Sequence, residues 1–122
     1  MISLYGCGFI GTHFKYMYDS DVHVQGRDER VPAHKDILYF ISTIHNYHVH
    51  DDITRDVDTN LRVLCETLEH CRSKDITFNF VSSWFVYGKG DVLPATESSP
   101  CNPTGFYSIT KKCAEDLIIS FA

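Results

Sequence analysis

The stretch ISLYGCGFIGTH (residues 2–13) constrains the fold more than any other part of the chain. An apolar run ends in Gly6, and Gly8 and Gly11 complete a Gly-x-Gly-x-x-Gly spacing where helical character begins at Phe9. In that context each glycine has a mechanical task. Gly6 allows the tight turn, Gly8 lets the backbone approach a pyrophosphate, and Gly11 lets the helix pack close to the strand. The helix N-terminus, with Phe9 and Ile10 in its first turn, then offers unpaired N–H groups and the positive end of its dipole. Glycines are common in turns, so the spacing alone is weak; the strand before it and the helix after it make dinucleotide binding the leading reading.

The rest of the chain continues the alternation. Residues 2–6 read as a buried strand, 9–18 as a helix, 21–26 as an alternating strand and 36–42 as a strand apolar almost throughout. Val57, Leu61, Leu64, Cys65 and Leu68 recur at helical spacing within 54–72; residues 76–83 form a fourth strand, and a turn-rich loop leads to a last helix from about Phe106. Strands alternating with helices predict an α/β fold with a parallel sheet, Rossmann-like, with helices on both faces. Only ten residues, Gly26 to Lys35, join the second and third strands, too few for a helical crossover. If the third strand lies beyond the first, the link must run back about 17 Å and sideways about 10 Å, and ten extended residues reach about 33 Å, so a bare loop suffices. The predicted strand order is 2-1-3-4.

Composition sets bounds on function. With 122 residues, 43% hydrophobic and 22% charged, residues 1–122 suit one compact soluble domain. A net charge of −5 argues against a nucleic-acid partner, and no apolar run reaches membrane length. Five cysteines without a CxxC pair read as free thiols in a reducing compartment, and the start MISLYGCGF has no signal-peptide pattern, so a cytoplasmic location is expected.

At the end of the second strand, dinucleotide sites often carry an acid that takes the ribose hydroxyls. The comparable position here is Gly26, followed by Arg27 and Asp28. An arginine there pairs with a 2′-phosphate, which favours NADP over NAD; the other reading leaves Arg27 as a solvated charge and gives the ribose to Asp28. Ser82 and Ser83 stand where the fourth strand should end, at the edge where parallel sheets bind ligands. They point to opposite faces if the strand continues, so at most one aims at a cofactor. Tyr107 and Lys111 stand four apart at the start of the last helix, a spacing that packing alone also explains.

Three segments in order, GCGFIGTH (6–13), SSWFVYG (82–88) and ESSPCNPTGFYSITK (97–111), resemble the extended short-chain dehydrogenase/reductase family of nucleotide-sugar epimerases, dehydratases and reductases. The resemblance runs over nearly the whole chain. It implies an NAD(P)-dependent enzyme acting on a nucleotide-diphosphate sugar by hydride transfer, with Tyr107 as acid/base, Lys111 as its partner and Ser83 as the catalytic hydroxyl. A phenol with pKa about 10 is a poor base at neutral pH, and an ammonium one helical turn away favours the phenolate. Ser83 would hydrogen-bond the reacting oxygen. The resemblance also places Ser42 and Thr43 beside the cofactor ribose, Asn60 in support of that region, and Tyr107 and Lys111 against the cofactor. It implies a homodimer through helices 54–72 and 106–122.

Crowded ligand types in HNYHVHDD (His45, His48, His50, Asp51, Asp52) invite a metal reading, but their spacing fits no helical or strand pair, and a loop near the substrate entrance is expected instead, with no metal. Two departures from the family pattern stand out. The usual helix and strand after the second strand are missing. The chain also stops at Ala122, inside the last helix, where family members continue into a substrate-binding part. A C-terminally truncated Rossmann domain, with the substrate domain absent, is therefore expected, and a truncated nucleotide-binding module without catalysis is the rival function. A wide apolar stripe on the last helix (Ile109, Cys113, Leu117, Ile118, Phe121) leads to an expectation of self-association.

Overall fold

The structure, a computed structural model, describes residues 1–44, 50–90 and 93–122. The chain divides into two compact units, Met1–Ser42 with Val63–Val81, and Thr43–Arg62 with Ser82–Ala122.

The first unit holds a four-stranded parallel sheet. Strands β1 (Ile2–Tyr5), β2 (Val22–Val24), β3 (Asp36–Tyr39) and β4 (Thr77–Phe80) lie in the order β2-β1-β3-β4, as the link length predicts. Register is set by Ile2 opposite Val22 and Asp36, and by Asp36 opposite Thr77. Strands β2, β3 and β4 are shorter than the apolar runs suggest, each followed at its C-terminal end by one further ladder bond. Gln25 N–H reaches Leu4 C=O at 2.9 Å, Phe40 N–H reaches Tyr5 C=O at 2.7 Å, and Val81 N–H reaches Tyr39 C=O at 3.2 Å. Helix α1 (Phe9–Met17) follows β1.

The link between β2 and β3 carries no helix or strand, and side chains secure it instead. Tyr5 Oη donates to Arg30 C=O (2.9 Å), Gln25 Nε2 to Val31 C=O (2.8 Å), and His34 N–H to Ser3 Oγ (2.8 Å). Arg30 Nε pairs with Glu66 Oε2 at 3.0 Å. Backbone groups that a crossover helix would pair internally thus find side-chain partners. The core of this unit is Leu4, Ile37, Leu64 and Leu68, with the Tyr5 and Tyr39 rings meeting at a tilt, their centres 5.7 Å apart.

Residues 54–72 are not one regular helix. Helix α2 (Arg55–Val57) runs into a π-helical turn, Asp58–Arg62, and then into α3 (Val63–Cys71). The buried positions are Asp56, Asn60, Leu64, Thr67, Leu68 and Cys71, while Val57 and Cys65, expected on the apolar face, are exposed. A repeat of four residues drifts off one face of a regular helix; the wider π turn keeps Asp56, Asn60 and Leu64 inside.

In the second unit, a 3₁₀ turn (Trp84–Tyr87) follows Ser83, and α4 covers Phe106–Phe121. The loop between them is fastened where Asn102 N–H donates to Tyr87 C=O at 3.3 Å. Gly88 stands there at φ 64°, where a Cβ would lie 1.8 Å from the Asn102 carbonyl oxygen. Helix α4 buries Ser108, Thr110, Lys111 and Ala114. Three of these four buried residues are polar, and the apolar stripe the sequence suggests is not the buried face: Ile109 is exposed, and Cys113, Leu117, Ile118 and Phe121 are only half-buried.

Candidate functional site

In the first unit, the three glycines of the turn are held by different constraints. Gly6 has φ +90°, and a Cβ there would lie 2.7 Å from Ile41 N and 2.9 Å from the Phe40 carbonyl carbon. A Cβ on Gly11 would lie 2.2 Å from Gly6 O. These two are required by close backbone packing. A Cβ on Gly8 would meet nothing within 4 Å. Packing therefore gives no reason for glycine at position 8, and the space above it is open. Helix α1 starts at Phe9 without a side-chain cap and without an acid in its first turn, so its N-terminal N–H groups face no competing carboxylate from that turn. Phe9 and Ile10 are 83% and 59% exposed. An open Gly8 beside an uncapped helix start fits a phosphate-bearing ligand.

Arg27 and Asp28 are both exposed in the turn after Gly26. Glu29, not Asp28, satisfies that turn, its Oε2 accepting from Gly26 N–H at 2.6 Å. Ser42, half-buried, lies after β3.

The second unit contains Thr43, Asn60, Ser82, Ser83, Tyr107 and Lys111. Ser83 caps the 3₁₀ turn, its Oγ accepting from Phe85 N–H at 3.3 Å, so its own hydrogen stays available for donation. Ser82 differs: its Oγ is buried and has no hydrogen-bond partner among the described residues. Phe85 brings the turn to Tyr107, the two rings meeting edge-on at 6.4 Å. Lys111, one turn along α4, is 2% exposed, so it is not a solvated surface charge. Burial lowers its pKa to about 8, with Glu115 acting in the opposite direction.

Two residues that the sequence analysis did not single out join this set. Asp56 is 2% exposed and accepts a hydrogen bond from Thr43 Oγ1. Thr110, 4% exposed, accepts from Asn60 Nδ2 at 2.9 Å. The four-residue spacing of Asp56 and Asn60 was available in the sequence, but at a helix face it reads as ordinary surface polarity. In the crowded segment 45–52, His45 and His48 lie outside the described residues; His50, Asp51 and Asp52 are exposed.

Residues 15–122 match the model of the NAD dependent epimerase/dehydratase family, and the chain belongs to that family. Among curated proteins, UDP-arabinose 4-epimerase 1 of Arabidopsis thaliana is 33% identical over 67 residues, 55% of this chain and 16% of that protein. Two solved structures share the fold. RMD from Pseudomonas aeruginosa, complexed with NADPH, has a TM-score of 0.82 at 20% identity, over 98% of this chain and 48% of its own. UDP-glucose 4-epimerase from Brucella ovis, in complex with NAD, also has a TM-score of 0.82, at 21% identity over 99% of this chain and 47% of its own. The chain thus spans about half the length of these structures.

Proposed function

We propose that this chain is the cofactor-binding part of an NAD(P)-dependent enzyme acting on a nucleotide-diphosphate sugar, with Ser83, Tyr107 and Lys111 as its acid–base site. The observation that carries the reading is the second unit's arrangement: a serine with a free hydroxyl hydrogen, a tyrosine beside its turn and a buried lysine one helical turn further. The family supports a nicotinamide cofactor, and so do relatives crystallised with NAD or NADPH.

The Gly6–Gly11 turn and the start of α1 would hold the pyrophosphate, with Arg27 at a 2′-phosphate or Asp28 at the ribose. Ser42, Thr43, Asn60 and Ser82 belong to the same binding part in this reading. When bound, the cofactor supplies the hydride acceptor and donor. Ser83 donates to the reacting oxygen and holds it near Tyr107. Tyr107 takes the hydroxyl proton and returns it, and Lys111 stabilises the phenolate through its charge. Burial brings Lys111 within reach of neutral pH, so its charged fraction, and the support it gives Tyr107, falls as pH rises through about 8.

The free state of all five cysteines supports a reducing, cytoplasmic setting. Among the described residues no helix is long and apolar enough to cross a membrane. Ile109 and Ile119, 52% and 72% exposed on α4, support a homodimer through the helices; a monomer by sedimentation at high concentration would contradict that assembly.

The test of the chemistry is Tyr107→Phe. In a complete protein carrying this chain, turnover of a nucleotide-diphosphate sugar should fall by about 10²-fold or more while cofactor affinity is kept. Unchanged turnover would return Tyr107 to a packing role. No turnover by that complete protein without the substitution on any nucleotide sugar, with dinucleotide still bound, would favour the binding-module alternative.

A further inference from the structure

The second unit encloses a hydrogen-bonded chain that ties Thr43 and Asn60, assigned above to the cofactor-binding part, to Asp56 and Thr110, to which the chemistry above gives no task. Asp56, Asn60 and Thr110 are each no more than 4% exposed. Its donor directions can be read from one fixed point, because Thr43 N–H can only donate. It meets Asn60 at 2.8 Å, which makes that atom the amide oxygen. Asn60 Nδ2 then gives one hydrogen to Thr43 Oγ1 (2.9 Å) and one to Thr110 Oγ1 (2.9 Å). Each hydroxyl, having accepted, passes its own hydrogen on: Thr43 to Asp56 Oδ1, and Thr110 to the Tyr107 carbonyl at 2.9 Å. Every hydrogen on the amide and the two hydroxyls is used.

This chain begins at a buried carboxylate and ends on the backbone of Tyr107. Thr110 is also the neighbour of Lys111, so one hydroxyl braces the turn that carries both groups. A hydroxyl bonding back to an earlier carbonyl adjusts the local curvature of a helix. Asn60, which holds that hydroxyl, lies in the middle of the π-helical turn, a feature frequent at functional sites.

We propose that Thr110, anchored by Asn60, is a positioning residue for the Tyr107–Lys111 pair. It sets the first turn of α4 so that the phenol and the ammonium converge on one reacting group. The proposal rests on the acid–base reading of Tyr107.

The test compares Thr110→Val, which keeps the shape but loses the hydroxyl, with Thr110→Ser, which keeps the hydroxyl. In the 122-residue chain, NMR titration of labelled lysines should resolve Lys111, which titrates at about 8, from ordinary lysines. In Thr110→Val, water should follow the unpaired Asn60 hydrogen, and the Lys111 midpoint should rise by about half a unit or more. In the serine variant the midpoint should stay at the wild-type value. In a complete protein carrying this chain, kcat of the valine variant for a nucleotide sugar should fall about tenfold with KM nearly unchanged, and serine should restore it. An unchanged midpoint or an unchanged kcat in Thr110→Val overturns the proposal, as does a serine variant that behaves like valine. If the valine protein does not fold, Thr110→Ala is read in the same way. Tyr107→Phe run alongside separates the two failures. Full turnover there removes the acid–base reading and this proposal with it, whereas an inactive Tyr107→Phe beside a fully active Thr110→Val removes the positioning role alone.

Discussion

The interiors of the two units differ in kind. The first buries seven apolar side chains, Leu4, Tyr5, Ile37, Tyr39, Leu64, Leu68 and Cys71, around a parallel sheet, against three polar ones, Ser3, Gln25 and Thr67. Among the described residues of the second, the buried apolar side chains are Val86 and Ala114, while Asp56, Asn60, Ser108, Thr110 and Lys111 are buried beside them. Apolar burial drives folding, whereas buried polar groups cost free energy unless each is hydrogen-bonded. A polar interior is therefore weak evidence for stability and better evidence that those groups have a task. The first unit is constrained mainly by shape, and the second by hydrogen bonding and charge.

Shape should show the larger effect. Gly6→Ala forces a Cβ within 2.7 Å of Ile41 N at a φ of +90°, and neither backbone can yield cheaply. Overpacking and strain together should destabilise the chain by about 2–5 kcal/mol in urea unfolding. Gly8→Ala, which meets nothing within 4 Å, should change stability by less than about 0.5 kcal/mol. Equal losses at the two glycines would end the distinction between a packing glycine and one facing a ligand.

Charge should show a smaller effect with a distinct pH signature. Lys111 titrates at about 8 when folded, against 10.5 as its ordinary value. Between those values the unfolded chain holds a proton that the folded chain has released, so this group's contribution to stability rises with pH across that window. Below pH 8 the burial penalty is present in full. In the first unit the sign is opposite. Burial pushes the Tyr5, Tyr39 and Cys71 pKa values up, so the unfolded chain loses those protons first and stability falls at high pH. Lys111→Met should be more stable than wild type at pH 7 by roughly 1–3 kcal/mol, with the advantage shrinking towards pH 10. A pH-independent difference between the two proteins would show that Lys111 keeps its ordinary pKa.

Much of the first unit was legible because its constraints repeat along the chain. The Gly6–Gly11 spacing, the apolar runs and the short Gly26–Lys35 link led to the strand order found in the sheet. In the second unit a motif singled out Ser83, Tyr107 and Lys111, whose roles are part of the proposal above. Asp56 and Thr110 were not singled out, because a buried polar partner looks like a surface residue until its neighbours are known. The π turn was hidden for a related reason: hydrophobic periodicity assumes 3.6 residues per turn, and this turn serves polar side chains. The exposed Ile109 on α4 inverts the expected apolar face for the same cause, since Thr110 and Lys111 take the interior.

The most direct test of the account is calorimetric titration of NADPH and NADH into the 122-residue chain and its Gly8→Val variant. The predicted result is dinucleotide binding by the wild type, lost in Gly8→Val at an unchanged melting temperature. NADPH should bind more tightly, by up to the value of a charge-assisted phosphate contact, about 1.5–3 kcal/mol, and Arg27→Ala should remove that preference. Tighter binding of NADH by the wild type would reverse the role given to Arg27. No binding by the wild type, or equal binding by Gly8→Val, would contradict the claim that this turn holds a nicotinamide cofactor.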